Sequence, residues 1–406
     1  MTTWSMPSSK FKQVDAAKAR RALARLGKER VTSALKQSDE ARKMRESKTP
    51  GTLFCNVMLT ATGYAALGRD PQQLVAKDMH FALGMKSEES RRELGDPSLD
   101  AWEPNFRRPV DLLVVLADDN LDTLRKEEKE LVQQLAEVAE LQFSQRGQVI
   151  RKGDQRLEPF GFADGRSQPI FLKDDMRHEG PTEHWDPAAS LDLVLLPDPF
   201  VNGAFGSFYV LRKLEQDVSG FLEQEAALAK ALGLPPAKAS ALAMGRFRDG
   251  TPVHLEGKQT NDFVFDPADG SRCPFHAHIR KANTRNALEK GRRIARRGIP
   301  YDDRSEEVQR QEARPKAGVG LLFSSFQASI EAQFTFIHRF WMNNPGFPSH
   351  RTGKDPLSTA LAEPGAQKWP PNPGGSERVG FDFGRVVHMK GGEFFFAPSL
   401  PFLKQQ

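Results

Sequence analysis

Apolar residues in the first half of the chain recur at helical spacing in two segments, and two short apolar runs lie near them. Residues 16–36 and 123–143 each place several apolar side chains near one face, which predicts two amphipathic helices. Asp122 is predicted to cap the second helix. The apolar runs at residues 53–59 and 109–116 predict buried strands, because both are short and rich in Leu and Val.

The second half of the chain mixes strands and helices in the same way. Short apolar runs predict strands at residues 191–197, 206–212, 320–326 and 394–396. Apolar residues at helical spacing predict helices at residues 213–232 and 328–342. Two long segments rich in Gly, Pro and charge lie between these elements, at residues 247–317 and 343–380. Loops of that length in a compact protein are usually functional or disordered.

The order strand, helix, strand, helix, strand occurs twice, which predicts an α+β protein with two domains. Each domain is expected to be a sheet with helices on one face, and the boundary is expected near residues 185–205, where Pro and Gly cluster. The predicted division is a basic N-terminal arm with the first helix at 1–50, one domain at 51–195 and a second at 196–406.

The composition excludes several classes of protein. The chain has 406 residues, 38% hydrophobic and 27% charged, which is ordinary for a soluble globular protein. No run approaches the roughly 20 apolar residues of a membrane helix. Its two cysteines, Cys55 and Cys273, exclude a disulfide framework and a zinc site built from Cys. No secretory signal is visible, so a cytoplasmic location is expected.

The net charge of +5 is concentrated at the N-terminus, since residues 1–50 hold 13 Lys and Arg against 5 Asp and Glu. This pattern favours a solvated, partly helical arm over a nucleic-acid site, which would more often form a stripe on a domain surface. We therefore expect no nucleic-acid partner and no membrane partner. The 28 Phe residues, against 3 Tyr, indicate large dry walls in a core or around a flat apolar cofactor.

Two short segments carry side chains that suit chemistry. Gly161 and Gly165 flank Asp164 in GFADG, where a carboxylate can be directed into a cavity, although an ordinary Asp-Gly turn has the same sequence. In CPFHAHIR, His276 and His278 point to opposite sides if the backbone is extended, so at most one easily faces a given metal. The further ligands that zinc requires are missing nearby, whereas one His is enough for haem.

A basic segment and an apolar one complete the candidates. Residues 280–297 hold eight Lys and Arg and one acid, Glu289. Like charges at this density repel unless anions lie among them. The segment is therefore either a solvated loop or a site for carboxylates, phosphates or developing negative charge. The run GLLF at residues 320–323 is by itself typical of a buried core.

An ordered series of motifs makes the chain resemble the dye-decolorizing (DyP-type) haem peroxidases. The motifs are GFADG, GSFYVLRKLEQDV, MGRFRDGTP, NDF, CPFHAHIRKANTR, RRIARRGIPY, GLLFSSF and GGEFFFAPS. The resemblance extends from about residue 53 to the C-terminus, and GFADG matches the family's G-x-x-D-G motif. It implies two ferredoxin-like domains, each an antiparallel sheet with helices on one face, with haem b in the C-terminal domain.

The resemblance also implies roles for individual residues. His278 resembles the iron ligand on the proximal side, and His276 is its competitor. Asp164 resembles the acid-base residue on the opposite, distal side of the haem. Arg296 resembles the distal arginine, and the adjacent Arg297 is the alternative.

Other residues are expected to surround the haem. Leu321 and Phe323 resemble the apolar residues over its distal face. A carboxylate is expected to accept the second N–H of His278, and Glu331 and Asp382 are the candidates.

Three further expectations follow from the resemblance. Arg280 and its basic neighbours are candidates to pair with the haem carboxylates. The first strand usual in the family is expected to be absent or shortened to about residues 10–14. Surface Trp or Tyr residues are candidates to relay electrons to bulky reductants, although for each of them packing in the core is the more frequent role. The pool is Trp102, Trp185, Trp341, Trp369, Tyr64, Tyr209 and Tyr301.

The implied activity is that of a haem-dependent peroxidase. Such an enzyme reduces hydrogen peroxide and oxidises an aromatic or dye-like reductant one electron at a time, and a homo-oligomer is among the expectations. The alternative is a haem-binding or haem-handling protein with little peroxidase turnover. The presence of both Asp164 and Arg296 favours the enzyme, because haem storage needs neither.

Overall fold

The computed structural model of the protein describes residues 2–13, 15–255, 257–286, 289–350, 352–359 and 367–405. Its strands are β1 (Thr3–Phe11), β2 (Phe54–Leu59), β3 (Leu112–Asp118), β4 (Ala139–Gln148), β5 (Ile150–Lys152), β6 (Gln155–Leu157), β7 (Leu196–Pro197), β8 (Phe205–Gln216), β9 (Ala295–Arg296), β10 (Ile299–Asp302), β11 (Val319–Gln327), β12 (Lys368–Trp369), β13 (Val379–Gly380) and β14 (Val387–Ala397).

The α-helices are mostly short. They are α1 (Ala16–Glu29), α2 (Ala34–Ser47), α3 (Ala61–Ala66), α4 (Gln72–Val75), α5 (Met79–Leu83), α6 (Glu88–Leu94), α7 (Pro104–Arg107), α8 (Leu121–Leu135), α9 (Lys173–Met176), α10 (Val218–Leu232), α11 (Pro236–Met244), α12 (His278–Ala282), α13 (Glu306–Gln311) and α14 (Leu400–Lys404). A π-helical segment covers Ile330–Thr335 and Ile337–Met342. No helix in the described ranges is long and apolar enough to cross a membrane.

Within the described residues, ten strands form one antiparallel sheet. Its order is β10-β11-β8-β14-β2-β3-β1-β4, with β7 beside β8 and β9 beside β11. The two outer strands approach each other at Gly147 of β4. A Cβ atom there would lie 2.5 Å from Ile299 Cγ2 and 3.0 Å from Pro300 O of β10. The sheet therefore curves towards a barrel, and the predicted α+β class is confirmed.

The apolar core packs helices against this sheet. One cluster joins α1, α8 and α14 to the strands, with Leu23, Leu124 and Phe208 fully buried. A second cluster joins α10 and α11 to the loop that contains Phe160 and Phe162. This packing holds that loop beside the C-terminal end of β8.

The N-terminus belongs to the sheet. β1 pairs with both β3 and β4, so the expectation of an absent strand, or one shortened to residues 10–14, is wrong. The apolar pattern did not predict this strand because some of its buried residues are polar. Ser5 and Ser8 are buried, and Ser5 Oγ lies 3.2 Å from Ser144 Oγ. The division into three segments stays a prediction.

Two predicted helices are shorter than their apolar pattern suggested. The segment 16–36 is divided between α1 and α2, and Ser33 caps α2. The segment 123–143 is α8 followed by β4. Asn120 caps α8, because its side chain accepts from the first N–H groups of the helix, and Asp122 already lies inside that turn.

The C-terminal half also differs from its predicted elements. Residues 191–197 form a 3₁₀ turn and the short β7 instead of one strand. Residues 213–216 belong to β8, so the helix after it begins at Val218. The predicted loop 247–317 contains α12, β9, β10 and α13.

Candidate functional site

A cavity of about 290 Å³ lies between the sheet and the segments packed over its C-terminal half. Leu214 lines it from β8, and α12, the π-helical segment and the GFADG loop supply other walls. The five residues predicted for the site all line this one cavity: Asp164, Arg296, His278, Leu321 and Phe323.

His278 begins α12 and presents its imidazole to the cavity. Its Nδ1 lies 2.8 Å from Oδ2 of Asp355, whose side chain is fully buried. A carboxylate only accepts, so Nδ1 donates its hydrogen to Asp355 and Nε2 keeps a free lone pair. Asp355 is held in turn, because its Oδ1 accepts from Leu357 N at 2.8 Å. The imidazole is therefore fixed in the tautomer that can bind a metal through Nε2.

Asp164 lies in a loop whose glycines adopt backbone conformations that other residues rarely take. Gly161 and Gly165 have φ angles of +88° and +76°. The backbone N–H of Asp164 donates to Arg156 O at 2.9 Å. The loop is thus held by its own backbone while Asp164 lines the cavity.

Arg296 lies in β9 and shares the cavity with Asp164. Its Nη2 donates to the backbone oxygen of Arg166 at 2.7 Å, and its backbone N–H donates to Gln168 Oε1 at 3.2 Å. Burial lowers the pKa of Arg296, and the negative charge of Asp164 opposes that effect. Arg297, the alternative, is exposed and lies outside the residues that line the cavity.

Two further guanidinium groups, those of Arg246 and Arg285, are buried in the cavity wall. Both donate to Oγ of Ser167, at 2.8 Å and 2.5 Å. Their other bonds within the described residues go to backbone oxygens and to Asn261, and none goes to a carboxylate. Burial lowers the pKa of Arg246 to about 10 and that of Arg285 to about 9. Two buried positive charges with no carboxylate hydrogen-bonded to them among the described residues suit this wall to an anion.

Comparisons with known proteins agree with this geometry. A family model described as the DyP dimeric alpha+beta barrel domain matches residues 10–151, and one described as Dyp-type peroxidase, C-terminal, matches residues 238–348. The multifunctional dye peroxidase DyP2 of Amycolatopsis sp. is 37% identical over 402 residues, with 91% of this chain and 85% of that protein covered. The solved DyP-type peroxidase of Anabaena sp. superposes with a TM-score of 0.93 at 37% identity, with 99% of this chain and 91% of that chain covered.

The chain belongs to the dye-decolorizing peroxidase family. It is therefore a haem-dependent peroxidase, as its ordered motifs implied. The cavity of this DyP-type peroxidase fits a haem in two respects besides the free Nε2 of His278. Leu321 and Phe323 give an apolar wall for the ring, and the guanidinium groups of Arg246 and Arg285 can pair with its carboxylates.

His276, the competing histidine, lies outside the residues that line the cavity of this DyP-type peroxidase. It is buried against Trp369, with the two ring centroids 4.3 Å apart. Burial lowers the pKa of His276 to about 3, so the imidazole is neutral at physiological pH. His276 is a core histidine, whereas His278 faces the cavity.

Arg280 does not line the cavity, so the expectation that it pairs with the haem carboxylates is wrong. Its guanidinium donates to Cys273 O at 2.6 Å and lies 4.3 Å from the centroid of the Phe275 ring. Among the basic neighbours of Arg280, Arg285 does line the cavity, whereas sequence reasoning missed Arg246, which lines it as well. The available signal for Arg246 was the first of the two Arg residues in MGRFRDGTP.

The carboxylate that accepts from His278 is Asp355, so both sequence candidates were wrong. Glu331 is exposed, and Asp382 is not among the residues that line the cavity. Asp355 lies 77 residues after His278, inside the Pro-rich segment 343–380 that was predicted to be loop. No periodic pattern marks it, so the sequence offered little to select it.

The residues predicted to relay electrons from the surface are buried. Trp185 and Trp341 line the cavity. Each of the seven is at most 5% exposed: Trp102, Trp185, Trp341, Trp369, Tyr64, Tyr209 and Tyr301. Their burial contradicts a surface relay from this pool and agrees with the packing role that was the alternative for each.

Proposed function

We propose that this DyP-type peroxidase holds haem b in the cavity through His278 and activates hydrogen peroxide with Asp164 and Arg296. The observation that carries the proposal is the meeting, in one cavity, of a tautomer-fixed imidazole with a carboxylate and a guanidinium. A haem-handling protein would need the imidazole alone, so haem handling would not explain why Asp164 and Arg296 line the same cavity.

Five residues are assigned to holding the cofactor. Nε2 of His278 is assigned to the iron, and the guanidinium groups of Arg246 and Arg285 to the haem carboxylates. Leu321 and Phe323 are assigned to the distal face of the ring. The haem supplies the redox-active iron of this site.

Asp164 and Arg296 are assigned to the proton and charge changes of peroxide cleavage. Asp164 accepts the proton of one peroxide oxygen and returns it to the outer oxygen, directly or through one water. The fixed charge of Arg296 stabilises the negative charge that develops as the O–O bond breaks. Leu321 and Phe323 exclude water, which strengthens that electrostatic interaction.

The proposed reductant is an aromatic or dye-like compound that gives up one electron at a time. The names of two relatives, from Amycolatopsis sp. and Mycetinis scorodonius, describe them as a dye peroxidase and a dye-decolorizing peroxidase. A dye-decolorizing peroxidase solved in complex with 2,6-dimethoxyphenol superposes on this chain with a TM-score of 0.79 at 25% identity. Electron-rich phenols are therefore the first reductants to test.

Cofactor binding is tested by the absorption spectra of two matched histidine variants. His278→Ala should lose haem or hold it loosely, because it removes the proposed iron ligand. His338 also lines the cavity but lacks the bond to Asp355, so His338→Ala should keep the Soret band. A normal Soret band and full activity in His278→Ala would refute the ligand assignment.

The catalytic roles are tested by stopped-flow mixing of the holoenzyme with equimolar peroxide. Arg296→Leu should keep haem and slow the fast change in the haem spectrum by about 100-fold, since a fixed charge next to the breaking bond is lost. Asp164→Asn should slow it less, because Arg296 remains. A wild-type protein whose spectrum does not respond rapidly to peroxide would favour haem handling over catalysis.

A further inference from the structure

The carboxylate of Glu158 lies beneath the loop that carries Asp164 and also lines the cavity. Its Oε2 accepts from Phe160 N at 3.0 Å, and its Oε1 accepts from Phe162 N at 2.9 Å. Oε2 also accepts from Nε2 of Gln216, in β8, at 2.5 Å. The carboxylate of Glu158 therefore accepts hydrogen bonds from two backbone N–H groups of the loop and links the loop to the sheet through Gln216.

The same loop is braced by its own backbone and by α10. The backbone N–H of Glu158 donates to Phe162 O at 3.0 Å. The Phe160 ring stacks on Phe221 of α10, with centroids 4.3 Å apart. Asp164 follows two residues after Phe162, so the position of its carboxylate depends on how this loop is held.

Gln216, which donates to Glu158 through Nε2, also carries a buried side-chain oxygen. In the described part of the chain, Oε1 of Gln216 is buried and has no hydrogen-bond partner. A half-turn of the amide exchanges its N–H₂ and oxygen positions. Gln216 can therefore donate to Glu158 when the acid is ionised, and can accept from its O–H when the acid is protonated.

The surroundings of Glu158 raise the pKa of its carboxyl group. Burial raises the pKa of Glu158 to about 6, the charge of Asp164 adds to the rise, and the three accepted hydrogen bonds oppose it. Arg248 and Glu225, the other charged pair packed there, compensate each other through bonds of 2.7 Å and 2.9 Å. Asp164, by contrast, shares the cavity with the positive charge of Arg296.

We propose that Glu158 is a positioning residue for Asp164, which holds the loop through its hydrogen bonds both when the acid is ionised and when it is protonated. Gln216 allows this protonation without release of the loop. The inference rests on the proposed function, since it takes Asp164 to be the group that handles the peroxide proton.

The positioning role is tested by hydrogen exchange of residues 158–165 in the holoenzyme, with residues 218–232 of α10 as the internal control. Glu158→Ala removes the acceptor of two backbone N–H groups, so loop exchange should rise at least about tenfold. Glu158→Gln copies the protonated acid, because its amide can donate to Gln216 Oε1, and should change exchange less than about threefold. Unchanged exchange in Glu158→Ala would overturn the positioning role.

The hold on the loop in both forms of Glu158 is tested by hydrogen exchange of residues 158–165 in the wild type at about pH 5 and about pH 7, corrected for the intrinsic exchange rate. Exchange should differ by less than about threefold between the two, because the Gln216 amide can turn to accept from the protonated acid. Gln216→Leu cannot accept that hydrogen, so its loop exchange should rise more at about pH 5 than at about pH 7.

Each remaining outcome identifies which claim fails. Loop exchange that rises by about tenfold or more in the wild type at the lower pH would mean that protonation of Glu158 releases the loop. Equal loop exchange at the two pH values in Gln216→Leu would mean that Gln216 does not hold the protonated acid. Asp164→Asn tests the proposed function separately: if the reaction with peroxide is unchanged in that variant, Asp164 does not handle the proton, whatever the loop exchange shows.

Discussion

The hydrogen bond from His278 to Asp355 determines the electronic character of the imidazole that faces the cavity. The carboxylate is fully buried and accepts Nδ1–H at 2.8 Å, so its charge is not screened by solvent. A negative charge on that side makes the opposite nitrogen a stronger donor to a metal. The same bond fixes the orientation of the ring.

Asp355→Asn should weaken this effect without removing the side chain. Loss of the charge should raise the reduction potential of the bound haem and weaken haem binding about tenfold. Potentiometric titration measures the first effect, and haem transfer to an acceptor protein measures the second. Glu331→Gln is the control, because Glu331 is exposed, and a potential equal in the two variants would contradict the assigned role of Asp355.

The sequence predicted the residues of the site that stand inside contiguous motifs. His278, Asp164 and Arg296 are each bracketed by several recognisable neighbours, and all three line the cavity. Asp355 and Glu158 were missed for a different reason. Asp355 accepts a hydrogen bond from His278, and Glu158 accepts one from Gln216. Both contacts form only when segments distant in sequence fold together.

At the scale of single elements, the π-helical segment shows how a buried carboxylate can organise two helices. Asp78 is 2% exposed, and its Oδ1 accepts from His80 N at 3.1 Å to cap α5. Its Oδ2 accepts from Ser329 Oγ at 2.8 Å and from Glu331 N at 2.9 Å, at the start of the π-helical segment. That segment carries cavity residues, so its N-terminal anchor also supports the site.

Asp78→Ala should therefore destabilise the protein more than an ordinary cap substitution. Three donors lose their acceptor, and the free energy of unfolding should fall by about 2 kcal/mol. Urea denaturation followed by circular dichroism measures this change. Asp122→Ala, at an exposed position that caps no helix, should alter it by less than about 0.5 kcal/mol. Equal effects of the two substitutions would show that Asp78 is not an anchor.

The periodicity of apolar residues predicted the presence of helices more reliably than it predicted their type and their ends. In 328–342 the apolar residues Ile330, Phe334, Ile337 and Trp341 fit an α-helix, yet the backbone is π-helical, and the spacing of apolar residues does not distinguish the two. The strand β1 was missed for the opposite reason. The buried residues of β1 include serines and a proline, and these residue types predict a loop when the surrounding sheet is unknown.

At the scale of the whole molecule, closure of the sheet depends on a residue without a side chain. The hydrogen on Gly147 occupies the space where a methyl group would meet Ile299 and Pro300 of β10. The outer strands β4 and β10 can approach only because that space is left open. Close packing of this kind tolerates added volume poorly.

Gly147→Ala should push β4 away from β10 and lower the free energy of unfolding by about 1–3 kcal/mol. The matched control is Gly291→Ala, where an added Cβ would have no heavy atom within 4 Å. Thermal unfolding of the two variants measures the difference. If both unfold at the same temperature, the close approach of the outer strands does not limit the size of the residue at 147.

The place of β14 in the sheet has a consequence for biosynthesis. This strand lies between β8 and β2 and is the link between the N-terminal strands and the strands beneath the cavity. A nascent polypeptide that has not yet released residues 387–397 from the ribosome cannot complete this sheet. Assembly of the continuous sheet therefore waits until residues 387–397 have been released, and products that terminate before this strand would be left with two unjoined edges exposed to aggregation.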